Sequence, residues 1–336
     1  MIDCEYHPVV GALEDLLPYL DQATALRVTQ SEFRLPPTMP HPGADFEGRP
    51  VEGGSDPAVA SASIPDSVDQ VLLLAPQTLP TAGWLHHELA AEFIHAVNRH
   101  IAERWLPVDP RFRFVVGLTP HHPDQAVREL EAFDGVDAVV AASISLINIS
   151  LGHEYFHPLF AALAARGLPL IVHPGGGEGE LPGVVGLGGS GPRTPEETFS
   201  MLPQAAQSNL SSLVFNGAFE LYPELTVVFA GWGFEWAPTL LWRLDTEWRN
   251  LRVEVPWLSR PPSEVIADRI RLVLDAGSAT SELAWRHAEL LPQQVLLFGS
   301  DAPFGGDEPF ARLAGVPDAL RARIERDNAL ATFPRL

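Results

Sequence analysis

The chain has 336 residues, of which 46% are hydrophobic, and its formal net charge is −21. Such an acidic surface argues against nucleic acids and anionic membranes as partners, because both attract basic surfaces, and no run approaches the ~20 apolar residues that a membrane-spanning helix needs. The single cysteine, Cys4, excludes an intrachain disulfide, and with no secretory signal at the start of the sequence we expect a cytoplasmic protein.

Short apolar runs recur along the chain with helix-like segments between them. Most of the runs are continuously apolar, which is typical of parallel strands buried on both faces. The predicted strands are Ile2–His7, Gln70–Ala75, Phe112–Leu118, Asp137–Ala141, Leu168–His173, Leu225–Ala230, Ile270–Leu274 and Gln294–Gly299. Eight strands alternating with helices predict an α/β fold, a single (β/α)₈ TIM barrel over residues 1–336.

Helices are expected between the strands, and the first of them shows apolar residues at a spacing of three to four. The expected helices are Trp84–Trp105, Pro123–Phe133, Glu154–Arg166, Glu196–Leu221, Phe234–Leu251, Pro262–Asp268, Ser281–Leu291 and Asp318–Thr332. Two segments depart from this order. Residues 30–66, rich in Pro, Gly and Ser, are predicted to form a lid or an irregular insertion after the first strand. Residues 174–194 hold nine glycines and are predicted to form a mobile active-site loop.

Candidate metal ligands come at the ends of three of the predicted strands. Glu5 and His7 lie two residues apart and so share one face of the first strand. His173 ends the fifth strand, and Asp301 follows the eighth. Each residue alone also has a structural interpretation: a surface acid, core or loop-bonded histidines, and an N-cap aspartate. Because the C-terminal ends of barrel strands surround one mouth, their joint occurrence favours a metal site.

The basic residues limit the kind of metal site. All 22 of them are arginine. Without lysine there can be no Schiff base to a lysine and no carbamylated lysine bridging two metals. A dinuclear centre of that type is therefore excluded.

Motifs spread from about Ile2 to Leu336 resemble one known family. The residues that carry the likeness are Ile2-Asp3-Cys4-Glu5-Tyr6-His7-Pro8, Ile171-Val172-His173-Pro174-Gly175-Gly176, Phe215-Asn216-Gly217-Ala218, Trp242-Arg243-Leu244-Asp245, Arg260-Pro261-Pro262-Ser263-Glu264, Phe298-Gly299-Ser300-Asp301-Ala302-Pro303 and Asp327-Asn328-Ala329. The chain is similar to the amidohydrolase-related proteins of family 2, the aminocarboxymuconate-semialdehyde decarboxylase type.

The resemblance implies a metal-dependent TIM barrel of the amidohydrolase type with one divalent ion, zinc or else manganese. The ligands it implies are Glu5, His7, His173 and Asp301, with Asp301 also taking part in proton transfer. Many members remove a carboxylate from an aromatic or conjugated acid without redox chemistry. Small carboxylated substrates and a homodimer are further expectations from this resemblance.

The chain departs from that family pattern after the sixth strand. The decarboxylases have a histidine there that helps to transfer a proton, whereas this chain has Gly231. Glycine supplies neither a proton nor a ligand, and the loss of a positioned acid commonly costs about 10²–10⁴-fold in rate. If the decarboxylating chemistry is latent, replacing Gly231 with histidine is expected to raise it.

Other residues could make up for the missing histidine. His153, His157 and Glu178 are candidate proton donors, and we take His157 as the catalytic candidate with Asp301. Trp232 is a candidate aromatic wall for a planar substrate. Arg34 is a candidate partner for a substrate carboxylate, and Glu178 for other substrate contacts. Each of these side chains also has a structural or solvated interpretation.

Three functions stay open at this point. The first is a mononuclear, non-oxidative decarboxylase acting on a small aromatic or unsaturated carboxylic acid. The second is a hydrolase of the same fold that opens an amide, lactone or C–C bond with metal-bound water, with Asp301 as base. The third is a divergent biosynthetic enzyme or a non-catalytic binding protein, because a fold does not fix a function and Gly231 stands at the usual catalytic position.

Overall fold

The computed structural model describes residues 1–31, 33–36, 54–179, 181–188, 191–274, 278, 281–306, 310, 313 and 315–336. Its strands are β1 Ile2–Tyr6, β2 Gln70–Leu74, β3 Phe112–Gly117, β4 Val139–Ile144, β5 Leu170–Val172, β6 Val227–Phe229, β7 Ile270–Leu274 and β8 Leu296–Phe298. Across these described ranges, the eight strands form one parallel sheet in the order of the sequence. The predicted (β/α)₈ barrel is confirmed.

Helices follow most of the strands and cover the outside of the barrel. They are α1 Gln22–Gln30, α2 Pro57–Ser63, α3 His87–Arg104, α4 Pro123–Ala132, α5 His157–Arg166, α6 Pro195–Met201, α7 Pro203–Phe215, α8 Ala218–Leu221, α9 Ala237–Leu251, α10 Pro262–Arg269, α11 Glu282–Ala288, α12 Asp318–Ala322 and α13 Asn328–Thr332. None of the helices in these ranges is long and apolar enough to cross a bilayer.

Apolar side chains form two cores that follow from the alternation of side chains along each strand. The larger core lies between the strands and the surrounding helices. The smaller core fills the barrel and includes Cys4, Leu72, Val115, Ile171, Val228 and Leu297. Phe333, just after α13, packs into it, and Asn328 of α13 donates to the carbonyl of Leu296 at the start of β8. The N-terminal ends of the strands are thus covered, which leaves the C-terminal ends for a site.

Several predicted boundaries differ from the structure for local reasons. The segment expected as one helix, Glu196–Leu221, is three helices, because Pro203 begins α7 and Gly217 adopts a left-handed φ of 74° before α8. Strand β4 lies later than the predicted Asp137–Ala141, since Asp137 is exposed and the pairing with β3 extends to Ser143.

The predicted insertion at residues 30–66 is partly helical. Pro57–Ser63 form α2, and the Asp56 side chain accepts hydrogen bonds from the first free backbone N–H groups of this helix. Residues 37–53 lie outside the described ranges, as do 180, 189 and 190 of the glycine-rich loop. Lid and loop movement therefore stay predictions.

Candidate metal centre

Three of the predicted ligands meet at the C-terminal ends of β1 and β5. One ligand atom from each of Glu5, His7 and His173 lies within 4.8 Å of the others. Nε2 of His173 is 2.9 Å from Oε1 of Glu5, and Nε2 of His7 is 3.9 Å from the same oxygen. These residues are 0%, 2% and 9% exposed. The pairing of β1 with β2 shifts register between Asp3 and Tyr6, and irregularities of this kind re-aim side chains next to active sites.

Asp301 is the fourth candidate ligand and lies beside His7, outside the set of three residues whose ligand atoms are within 4.8 Å of one another. It follows β8 after Gly299 and Ser300, is buried, and places Oδ1 3.1 Å from Nε2 of His7. Its backbone φ is 55°, an uncommon value for a residue other than glycine. We call Glu5, His7, His173 and Asp301 the ligand group.

Both histidines of the ligand group are oriented by backbone carbonyl groups. Nδ1 of His7 is 2.9 Å from the carbonyl oxygen of Leu74, and Nδ1 of His173 is 2.8 Å from that of Pro174. A carbonyl oxygen only accepts, so each Nδ1 donates, and Nε2 of a neutral ring then carries a lone pair. This is the arrangement by which proteins fix a metal-binding histidine.

The donor atoms of the ligand group fit a divalent metal ion. Nε2 of His173 and Nε2 of His7 lie 2.9 Å and 3.1 Å from oxygens of Glu5 and Asp301. A nitrogen lone pair this close to a carboxylate oxygen is repelled unless a proton or a cation lies between them. Two imidazoles and two carboxylates are a donor set that suits zinc or manganese. The group can therefore hold one such ion.

Asp3 is a further buried acid next to the ligand group, and it was not among the residues predicted for the site. This buried residue accepts hydrogen bonds from the backbone and hydroxyl of Ser300 at 2.8 Å and 2.6 Å. Burial raises the pKa of the Asp3 carboxyl to about 6, although the hydrogen bonds from Ser300 lower it. The signal in the sequence is an acid inside an apolar strand, but its partner is 297 residues away.

Gly231 lies directly against the ligand group. Its φ is +79°, and a Cβ built there would be 2.8 Å from Cδ of Pro174 and 2.9 Å from Nε2 of His173. Side chains rarely adopt this φ, and Cβ contacts below 3.0 Å are essentially never seen. The expectation that histidine at position 231 raises decarboxylation stays a prediction, and a side chain there requires the His173 ring or the backbone to shift.

Glu178 lies in the glycine-rich loop that follows His173. It is fully buried, and its Oε1 accepts a 2.6 Å hydrogen bond from the backbone N–H of Gly175. Within the described residues, Oε2 has no hydrogen-bond partner. Burial raises the pKa of Glu178, while the hydrogen bond from Gly175 and the charge of His173 lower it. The sequence placed Glu178 in this region without indicating its burial.

Trp232, His157 and Arg34 were also predicted to belong to the site, but their contacts in the structure are with other parts of the fold or with solvent. Trp232 is 2% exposed and donates from Nε1 to the carbonyl of Val172, so its polar end is used within the fold. The ring of His157 contacts Tyr222 at a centroid distance of 5.6 Å, and Arg34 is exposed. The catalytic role of His157 and the substrate roles of Trp232 and Arg34 stay predictions, and these placements give them no support.

Another aromatic residue adjoins the ligand group. The ring of Phe304 is 5.8 Å from that of His7, at an interplanar angle of 46°, and Phe304 is buried. Phe304 follows Asp301 by only three positions, but no pattern in the sequence marks it as a residue of the site. Phe304 therefore places an apolar ring beside His7.

Comparisons with known proteins identify the family of the chain and solved structures with the same fold. The profile of a family described as amidohydrolase matches residues 2–335. The crystal structure of 5-carboxyvanillate decarboxylase from Sphingomonas paucimobilis is similar, with a TM-score of 0.70 and 21% identity over 99% of this chain and 98% of that chain. The 2,6-dihydroxybenzoate decarboxylase from Rhizobium has a TM-score of 0.66 and 16% identity, over 99% and 98% of the two chains.

A third solved structure contains a metal ion. The 5-carboxyvanillate decarboxylase from Novosphingobium aromaticivorans, complexed with manganese and 4-hydroxy-3-methoxy-5-nitrobenzoic acid, has a TM-score of 0.71 and 17% identity, over 99% of this chain and 95% of that chain. No match was found among the curated proteins. At these identities, the likeness to solved structures establishes the shared fold.

Proposed function

Because the chain belongs to the amidohydrolase family, we propose that it is a mononuclear metal-dependent lyase that decarboxylates a small aromatic or unsaturated acid without redox chemistry. The observation that carries this proposal is the buried ligand group at the C-terminal ends of the strands, where barrel enzymes place their catalytic residues. Solved structures with the same fold include decarboxylases of hydroxylated benzoic acids, which supports the substrate class.

Glu5, His7, His173 and Asp301 would hold the metal ion. When bound, the ion supplies positive charge that orients a carboxylate and an adjacent oxygen and stabilises negative charge developing there. The donor set suits zinc and manganese, and manganese is the ion in the structure from Novosphingobium. We propose one ion of either kind, to be distinguished by metal analysis of the purified protein.

The chain's own residues must supply the proton. Decarboxylation breaks the bond between the ring carbon and the carboxyl carbon, and carbon dioxide leaves. The electron pair stays on the ring carbon, which then takes up a proton from an acid that solvent later reprotonates. Gly231 cannot donate, and His157 lies against Tyr222, so the acids considered at the site are Asp301 in the ligand group and Glu178 in the adjoining loop. Burial favours the neutral, proton-carrying form of Glu178, so we propose Glu178 as the donor and Asp301 as the group that holds the substrate oxygen in place.

The decisive test is carbon dioxide release from a panel of hydroxylated benzoic acids and conjugated dienoic acids, with zinc- and manganese-loaded protein. We expect at least one acid to lose one carbon dioxide per molecule, with solvent deuterium incorporated at the vacated carbon. Metal-loaded, folded protein that releases no carbon dioxide from any member of the panel would contradict this proposal.

A metal-dependent hydrolase is the second candidate, and Gly231 is the observation that favours it. Hydrolysis does not require an acid at the sixth strand, because Asp301 could act as the base that takes a proton from the attacking water. Oxygen-18 from labelled water would then appear in the product of an amide, lactone or β-diketone substrate. Label in such a product, together with no carbon dioxide from the acids, would decide for the hydrolase.

Three further expectations stay predictions. They are a cytoplasmic location, a homodimer, and the lack of nucleic-acid and membrane partners. The net charge of −21 supports the last of these. Light scattering on the purified protein would measure the oligomeric state directly.

A further inference from the structure

The barrel closes through the same segments that carry its ligands. In the described residues, the link between β1 and the chain after β8 is an isolated parallel bridge between Tyr6 and Ala302. Asp301 donates from its backbone N–H to the carbonyl of Glu5 at 2.8 Å, and His7 donates to the carbonyl of Ala302 at 2.7 Å. We call these contacts between residues 5–7 and 301–302 the closing seam. The seam therefore sets the distance between Glu5 and Asp301.

Asp3 extends the seam by one step with its side chain. Its Oδ1 accepts a hydrogen bond from the backbone N–H of Ser300 at 2.8 Å. In regular strand pairing, a backbone carbonyl oxygen would accept this hydrogen bond. Its Oδ2 accepts from the Ser300 hydroxyl at 2.6 Å, and the same hydroxyl oxygen accepts from the backbone N–H of Ala302 at 3.1 Å. Oδ1 of Asp3 also accepts from the N–H of Glu5 at 3.2 Å. Asp3 and Ser300 are both 0% exposed, so water does not compete for the hydrogen bonds between them.

The turn held by Ser300 is closely packed and has an unusual backbone. Asp301 has a φ of 55°, a conformation that surrounding contacts must maintain in a residue with a side chain. A Cβ built on Gly299 would lie 2.5 Å from Cγ1 of Val273 and 2.8 Å from Cβ of Glu5. The turn therefore lies directly on Glu5, and a change in its position moves one ligand against the other.

We propose that Asp3 and Ser300 form a latch across the closing seam that fixes Glu5 and His7 relative to Asp301, and so sets the affinity and geometry of the metal site. Both are positioning residues, since neither belongs to the ligand group. This inference rests on the proposed metal site but not on the choice between decarboxylase and hydrolase. Loss of a residue that supports metal ligands commonly weakens binding about 10–100-fold.

The chain offers a matched control on its outer surface. Oδ1 and Oδ2 of Asp245 in α9 accept from the backbone and hydroxyl of Ser263 in α10 at 2.9 Å and 2.7 Å. This repeats the contacts of Asp3 with Ser300, but between two outer helices. Ser263→Ala therefore removes the same kind of hydrogen bond without touching the seam.

The experiment compares Ser300→Ala and Ser263→Ala with the wild-type full chain. It measures manganese and zinc affinity by competition with a chelator, and the visible absorption spectrum of the cobalt-loaded protein. We expect Ser300→Ala to bind about 10–100-fold more weakly with a changed cobalt spectrum, and Ser263→Ala to keep wild-type affinity and spectrum. If Ser300→Ala does not fold, Asp3→Asn keeps the side-chain shape, replaces the oxygen that accepts from the Ser300 hydroxyl, and is expected to give the same shift.

The outcomes separate the latch from the proposed function. Equal metal affinity and equal cobalt spectra in Ser300→Ala and the wild type would overturn the latch while the metal site stands. A folded wild-type protein that binds none of the three metals would overturn both.

Discussion

Replacement of Gly231 with alanine tests whether the His173 ring depends on the space at this position. The new Cβ would lie 2.8 Å from Cδ of Pro174 and 2.9 Å from Nε2 of His173, at a backbone φ of +79°. The left-handed backbone costs about 1–2 kcal/mol for a residue with a side chain, and overpacking of this kind costs about 1–3 kcal/mol. We expect the metal-free protein to lose roughly 2–5 kcal/mol in its free energy of unfolding.

Gly135→Ala is the matched control for this variant. Gly135 has a φ of +88° with nothing within 4 Å of a built Cβ, and it lies between α4 and β4, on the face opposite the ligand group. It isolates the backbone cost, so we expect a loss of about 1–2 kcal/mol and unchanged metal affinity. Urea unfolding in the presence of a chelator measures the free energy of unfolding of both variants without a contribution from bound metal.

The two variants should also differ in metal binding. To make room, Gly231→Ala must displace the His173 ring from its place beside Glu5, so its zinc or manganese affinity should fall about 10-fold or more. If Gly231→Ala matches Gly135→Ala in both unfolding and metal affinity, the reasoning about position 231 is refuted. Gly231→His is then the variant to test for a gain of decarboxylation.

Three further outcomes are expected. Glu178→Gln should lower kcat about 10²–10⁴-fold at unchanged metal content, whereas the exposed control Glu196→Gln should not; equal rates would remove Glu178 as the proton donor. Trp232→Phe should cost about 1 kcal/mol in unfolding, from the lost hydrogen bond to the main chain, with KM unchanged; a raised KM would instead support a substrate role. Arg111 lowers the pKa of Asp109 to about 2 from 3.8, so this acid stabilises the fold above pH 3.8 and the contribution disappears as the pH falls through about 2. Asp109→Asn should therefore lose about 2 kcal/mol at pH 7 but much less at pH 2, as measured by denaturant unfolding at each pH.

The positions of the residues in the ligand group could be predicted from the sequence because they depend on local rules, whereas their binding of a metal stays a prediction. Continuous apolar runs marked the strands, and the two-residue period placed Glu5 and His7 on one side of β1. The barrel then brings the ends of all strands to one mouth, so His173 and Asp301 followed from their places after β5 and β8. The family resemblance added the role of these residues as metal ligands.

What could not be predicted depends on contacts between distant segments. Asp3 and Ser300 are 297 positions apart, and no local pattern links them. Gly231 was interpreted as the loss of a catalytic group, because the sequence does not show that the His173 ring fills the space beside it. Glu178 is buried because the glycine-rich loop folds back over it. This loop has no regular pattern of apolar residues from which its conformation could be predicted.

The helix breaks at Pro203 and Gly217 and the start of α2 have local signals in the sequence that the predicted elements did not take into account. Pro203 and Gly217 divide the segment expected as one helix, and both residue types commonly end helices. Asp56 followed by Pro57 is a helix start of the usual kind, yet the surrounding Pro, Gly and Ser residues led to a prediction of an irregular loop.

Metal analysis of the purified full chain measures whether the ligand group holds one divalent metal ion. We expect about one equivalent of zinc or manganese per chain after reconstitution. His173→Ala should lose the ion while its circular dichroism spectrum stays that of a folded barrel. A wild-type protein that is folded by the same measure but retains neither metal, even after reconstitution with excess zinc and manganese, would contradict the account.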